Sequence, residues 1–196
     1  MSRLSVVEKV SAAPQRGARE RILAAAEALA RDSGPGNIAL DAVAAKAGVS
    51  KGGLLYHFPT KARLLEALVE QFLATFDGAL HDREAQSGGA ANSTARAYVD
   101  IMVEEQLCHR PPPSGLLAAL AENPDFLAPV RRFDRQLLDR MKASASDPVL
   151  AVLVFLVMHG IKSGQLLNTE TIDAGEFDGV IARLREMLGP APATPA

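Results

Sequence analysis

The stretch from Leu40 to Lys61 reads LDAVAAKAGVSKGGLLYHFPTK. Asp41 to Ala47 is Ala-rich and free of breakers, which favours a short helix. Gly48 follows as a left-handed cap. Ser50 then caps a second short helix from Lys51 to about His57, and Pro59 closes it. Thr60 caps a long helix running to about Leu80, striped by Leu64, Leu65, Leu68, Phe72 and Phe76. Val43, Ala44, Val49 and Leu54 are placed to pack inward against Ile22 and Leu29. Two short helices around a tight glycine turn are the layout of a helix-turn-helix, whose second helix enters the major groove of DNA.

Outward from this stretch, nearly everything reads as helix. Ile22, Leu23, Ala26, Leu29 and Ala30 make one apolar face, and Asp32-Ser33-Gly34-Pro35-Gly36 stops that helix. Gly88-Gly89 marks a loop, and Tyr98, Ile101, Met102 and Cys108 form the next face. Pro111-Pro112-Pro113 breaks the chain before a short helix, Leu116 to Ala121. Phe126, Val130, Phe133, Leu137 and Met141 stripe another helix. Asp147-Pro148 begins the next, with proline in its first turn. The last runs from about Glu176 to Leu188, with Phe177, Ile181, Leu184 and Leu188 at helical spacing. The expectation is an all-α chain of about nine helices, with no strand and no internal repeat. Residues 1–15 and 190–196 read as disordered, 16–76 as the head (helix-turn-helix about 39–58), and 77–189 as a larger helical body.

Charge divides the same way. Residues 1–65 carry ten Lys and Arg against five Asp and Glu, while residues 66–196 carry eleven against eighteen, although the net charge is only −2. A basic first third points to a polyanionic partner there. The 196 residues are 48% hydrophobic and contain one cysteine, which excludes an internal disulfide framework and a Cys-built zinc site. The first residues hold no signal-peptide block, and the most apolar run, Val149 to Met158, is too short for a bilayer. The reading is a soluble, cytoplasmic protein without a membrane partner.

The chemistry of the central stretch supports DNA contact. Lys51, Tyr56, His57 and Lys61 are long polar or basic groups at a helix start, its end, and the next helix. Gly52 and Gly53 remove side-chain bulk at a cost of about 1 kcal/mol each relative to alanine, a cost that makes sense where close approach is needed. Arg16, Arg19 and Arg21 read equally as exposed helix charges or as an arm reaching the DNA backbone.

The run Ala47-Gly48-Val49-Ser50-Lys51-Gly52-Gly53-Leu54-Leu55-Tyr56-His57-Phe58-Pro59-Thr60-Lys61, with Leu64-Leu65 after it, resembles the DNA-binding signature of the TetR/AcrR transcriptional regulators. The resemblance covers about residues 16–76. It implies an all-α homodimer in which three N-terminal helices bind double-stranded operator DNA and a larger helical domain binds a small effector. On it, Ser50, Lys51, Gly52 and Gly53 open the recognition helix, Leu55, Tyr56 and His57 face DNA, and Lys61, beside the capping Thr60, contacts a phosphate. Many relatives carry Thr where Gly53 stands and Tyr where Leu55 stands, so base readout is expected to lean on phosphates and DNA shape. Phe58 is assigned to the core.

The resemblance places an effector among residues 95–167, and apolar candidates there are Met102, Leu117, Phe126, Phe133, Phe155, Met158 and His159, which imply a hydrophobic ligand. Val149, Val152, Leu153, Leu156 and Ile161 are too apolar for a singly packed surface helix, which reads either as a helix buried within one subunit or as the seam of the dimer the resemblance implies. That dimer would be built on Val152, Leu156, Gly160, Gly164, Phe177, Ile181, Leu184 and Leu188, the two glycines allowing close helix approach. The four histidines share no metal-ligand spacing; Glu105 and His109 lack the partners of a di-iron site, and Cys108 reads as a small core residue. No Gly-x-Ser-x-Gly, P-loop or dinucleotide fingerprint is present, so neither an enzyme nor a cofactor is expected.

Overall fold

The computed structural model describes residues 17–33, 38–107, 127–167 and 169–189. Among them are eight helices: α1 Ala18–Ser33, α2 Leu40–Ala47, α3 Lys51–His57, α4 Lys61–Gln86, α5 Ser93–Leu107, α6 Ala128–Ser144, α7 Pro148–Leu167 and α8 Ala174–Leu188. The described residues form no strand. The expected helix at Leu116–Ala121 lies outside them, as do both terminal segments, Arg16, Cys108 and His109.

Local chemistry sets the head. Gly48 adopts φ 65 and ψ 40, a left-handed conformation that costs glycine nothing. Its N–H donates to the Ala45 carbonyl at 3.2 Å, and that of Val49 to Ala44 at 3.0 Å, so the chain turns sharply after α2. Ser50 Oγ accepts from the Gly53 N–H at 3.0 Å and starts α3. Thr60 Oγ1 accepts from the Arg63 N–H at 3.2 Å and starts α4. Ile22, Ala26, Val43, Leu54, Phe58 and Leu64 bury together as the centre of the head, so Phe58 is a core residue as expected.

The body has a core of its own. Phe76 and Leu80 from α4 meet Tyr98, Val99 and Met102 from α5, Leu137 and Met141 from α6, Val154, Phe155 and Met158 from α7, and Ile181, Leu184 and Leu188 from α8. Two polar features hold the frame. Arg140 on α6 reaches Asp77 and, at 2.7 Å, Glu84, both on α4. Asn92, ahead of α5, donates from Nδ2 to the Leu188 carbonyl and to Ser146 Oγ, each at 3.1 Å, and joins the ends of α6 and α8. A capping box at Asp173 and Glu176 opens α8, with bonds of 2.8 and 2.9 Å.

Helix α4 serves both cores. Leu64, Leu65, Ala67 and Val69 bury in the head, whereas Phe76 and Leu80 bury in the body. It runs six residues past the expected end because Asp82 to Gln86 contains no breaker. The stop is Gly88-Gly89, at φ 57 and 78.

Candidate nucleic-acid interface and ligand core

The recognition face is the outer side of α3 with the start of α4. Tyr56 is 84% exposed, extreme for so large an aromatic side chain, and its ring meets His57 edge-on at 5.2 Å. Lys51 forms an exposed ion pair with Asp41 at 2.9 Å. Such a pair is worth about 1 kcal/mol or less, so a phosphate competes well for the ammonium. A Cβ on Gly52 would meet nothing closer than Ser50 Oγ at 4.0 Å, so packing within the chain does not demand glycine there. At Gly53 the same hydroxyl would stand 3.3 Å away, which makes that glycine also a matter of keeping the cap uncrowded. Lys61 and His57 are half-buried, and Thr60 is exposed beside its cap.

Leu55, expected to face DNA, is not fully exposed. It is half-buried and packs against the head core beside the fully buried Leu54. Arg19 is exposed, and its guanidinium lies 5.5 Å from the Phe58 ring centroid, which sequence reasoning left open. Arg21 is exposed as well.

The expected ligand residues fall into three groups. Met102, Phe155 and Met158 are buried in the body core, while Phe133 is half-buried against it. His159 keeps 45% of its side chain exposed and stacks on Phe155 at 5.3 Å. Leu117 and Phe126 lie outside the described residues. Around the first two groups the structure assembles residues that the sequence marked only as apolar helix faces, not as ligand candidates. Tyr98 also stacks on Phe155, at 6.3 Å, and Phe76 meets Tyr98 and Phe133 edge-on at 6.1 and 5.9 Å. Phe72 stands 6.4 Å from Phe76, and the Lys162 ammonium lies 5.4 Å from both ring centroids.

Five of the chain's nine Phe and Tyr residues therefore converge from four helices. The scarcity of aromatics was a signal available in the sequence; their meeting was not. Asp134 joins this group, its Oδ2 4.0 Å from His159 Nδ1. Burial pushes its carboxyl above the ordinary aspartate value, against the opposing pull of His159 and Lys162. Among the described residues no three His, Cys, Asp or Glu side chains gather as metal ligands.

The residues expected at a subunit seam are divided. Leu156 is 59% exposed, Gly160 is exposed with nothing within 4 Å of where a Cβ would stand, and Val152 and Gly164 are half-buried. Ile181, Leu184 and Leu188 turn inward and complete the body's own core, and the half-buried Phe177 packs against it. Val149 and Leu153, also read as too apolar for a surface helix, are 65% and 47% exposed on α7. With Leu156 and Gly160 they line one face at spacings of four, three and four.

This helix also corrects the expectation that no segment reaches bilayer length. Pro148–Gln165 is an 18-residue window of mean hydropathy 1.4, sufficient by length and composition, because the helix continues past His159 and Lys162.

Comparison with known proteins agrees with the two-core division. Residues 22–68 match the family model for bacterial regulatory proteins of the tetR family, and residues 92–189, half of the chain, match a tetracyclin repressor-like C-terminal domain. No curated protein matches the chain. Among solved structures, the multidrug binding protein EbrR complexed with malachite green superposes with a TM-score of 0.64 and 25% identity, over 87% of this chain and 98% of that one. The same protein complexed with ethidium gives 0.65 and 25%, over 87% and 99%. A TetR family member from Streptomyces coelicolor A3, SCO1917, gives 0.64 and 24%, over 86% and 98%. With a helix-turn-helix head and a helical body both matched, the chain belongs to the TetR family of DNA-binding transcriptional regulators.

Proposed function

We propose that this regulator is a cytoplasmic homodimeric repressor that binds a palindromic operator and leaves it when a small hydrophobic, aromatic effector enters the body. The observation that carries the reading is α4, which buries Leu64 and Leu65 in the head and Phe76 in the aromatic cluster, so one rigid element belongs to both sites. The complexes of EbrR with malachite green and ethidium, both aromatic dyes, support an aromatic effector for the similar body. The exposed stripe of Val149, Leu153, Leu156 and Gly160 supports a second subunit packed against α7, which removes apolar surface from water without a membrane.

In the proposed complex, Lys51, Tyr56, His57 and Lys61 meet one major groove and its phosphates. The twin head meets the next groove, about 34–36 Å away. Ser50, Gly52 and Gly53 let the start of α3 approach closely. Leu55 contributes an apolar edge, suited to a thymine methyl, where it emerges from the head core. The proposed role is binding throughout, with no catalytic step and no cofactor.

Selection from a randomised duplex library at two salt concentrations, with sequencing of the bound fraction, tests this reading. The expected result is an inverted-repeat motif whose capture weakens at high salt. No enriched motif at either salt, from protein shown to be helical and dimeric, would refute it.

A further inference from the structure

Lys162 is the least ordinary feature of the aromatic cluster. A lysine ammonium is a compact, strongly hydrated charge that usually reaches for water at the end of its flexible stem. Here it lies over two phenyl rings, 5.4 Å from the centroids of both Phe72 and Phe76, in a half-buried position. Asp134 on α6 is close enough for Lys162 to act on its carboxyl electrostatically, as is His159, whose Nδ1 stands 4.0 Å from Oδ2. Two aromatic faces around the ammonium, with the Asp134 carboxylate 4.0 Å from His159 one turn before Lys162 on the same helix, make a receptor for a cation. An anionic ligand seated there would face the negative ring faces and the Asp134 carboxylate together.

We infer that Lys162 is a resident occupant of an effector site for aromatic cations, held over Phe72 and Phe76 beside Asp134 until a ligand of the same charge takes its place. The incoming ligand stacks on the phenyl rings and pairs with Asp134, while the lysine stem moves its ammonium into solvent. Lys162 thereby sets a threshold: a ligand binds only if it holds the site better than the protein's own ammonium does. Because Phe72 and Phe76 belong to α4, exchange of the occupant changes what the helix shared with the head rests against. The assignment rests on the ligand-responsive reading above and adds the charge class of the ligand and the residue that competes with it.

The test uses two ions of the same tetrahedral aromatic shape and opposite charge, tetraphenylphosphonium and tetraphenylborate, titrated calorimetrically into the full-length protein. The wild type is expected to prefer the phosphonium. Lys162→Met, which keeps the stem and removes the charge, should bind it about tenfold more tightly, and Asp134→Asn about tenfold more weakly. Lys162→Gln, with helicity checked by circular dichroism, repeats the first measurement with a polar end and guards against a variant that fails to fold. Preference of the wild type for the borate, or absence of tightening in both folded Lys162 variants, overturns the inference. Phosphonium binding that follows the expected order but leaves operator affinity unchanged would refute the ligand-responsive reading while leaving the site assignment in place.

Discussion

Replacing Asn92 by alanine should cost the body a large part of its stability, and the loss can be apportioned. Asn92 is 5% exposed and the sole non-glycine residue with positive φ among the described residues, at 63. Asparagine tolerates that left-handed backbone; alanine pays about 1 kcal/mol or more for it. The side chain donates to the Leu188 carbonyl at 3.1 Å and accepts from the Ser146 N–H at 3.1 Å. Each net hydrogen bond is worth about 1 kcal/mol, and Leu188 keeps a second donor in Arg96, 2.7 Å away, which limits the damage at that end. The sum is about 3 kcal/mol, equivalent to a fall in Tm of roughly 6–12 °C for a chain of this size.

Asn92→Gly separates the two causes. It loses the same side-chain bonds but accepts the positive φ, so it should be about 1 kcal/mol less damaging than alanine. Urea unfolding of both variants, followed by helical circular dichroism at one protein concentration, provides the comparison, since the stability of a self-associating chain depends on concentration. A loss below about 0.5 kcal/mol for Asn92→Ala would mean the network contributes little. Asn92→Gly proving the worse of the two would mean the left-handed backbone carries no strain for alanine. Either result refutes the account.

Three further outcomes are expected. Lys51→Ala combined with Lys61→Ala should weaken operator binding and flatten its salt dependence by up to about two units of the log–log slope; an unchanged slope in a folded double variant removes both lysines from the phosphate contacts. Leu156→Glu places a charge in the middle of the exposed α7 stripe, so sedimentation should report the monomer mass, and a dimer mass with unaltered stability would put the seam elsewhere. The folded state binds a proton on Asp134 more tightly than the unfolded chain does, because burial raises its carboxyl. Its stabilising effect is therefore complete below the ordinary aspartate pKa and lost as pH rises through the raised value. Asp134→Asn should accordingly gain stability relative to wild type as pH climbs through that window, and a difference that stays flat would count against burial as the cause.

What could be read in advance was whatever a few neighbouring residues decide among themselves. Gly48, Ser50 and Thr60 act on backbone groups within four positions of themselves, so the caps and turn of the head followed from their identities. The face of α8 bearing Ile181, Leu184 and Leu188 was equally legible as apolar. Its destination was not, because periodicity says which side of a helix leaves water and nothing about whether a second chain or its own receives it. The family resemblance favoured the second chain; the structure shows those three residues in the chain's own core. Phe72, Asp134 and Lys162 illustrate the same limit at longer range. Each is unremarkable within its own helix, and only the packing of α4, α6 and α7 sets the ammonium over the rings and the carboxylate against His159 one turn away.

That packing also determines how an event in the body reaches the head. Among the described residues, only α4 and α6 place side chains against both cores, α6 through Val130 at its start and Leu137 and Met141 further on. From Phe76 back to Lys61 is fifteen residues, a rise of about 22 Å along α4. A tilt of about 10° pivoting at Phe76 would carry Lys61, and the head built around it, by about 4 Å, on that same helical geometry. Two heads moving so in a dimer would no longer match grooves spaced about 34 Å apart, although neither head changes internally. The ion pairs from Arg140 to Asp77 and Glu84 hold α4 to α6 beyond the pivot, so they resist sliding there while leaving the head end of α4 the freer arm. A ligand can drive such a tilt only by as much as it prefers the tilted state, and taking the population from one extreme to the other requires about 5.5 kcal/mol of preference. An occupant already in the site lowers the net gain available to any newcomer, so the responsiveness of this regulator is governed at Lys162 as much as at the ligand itself.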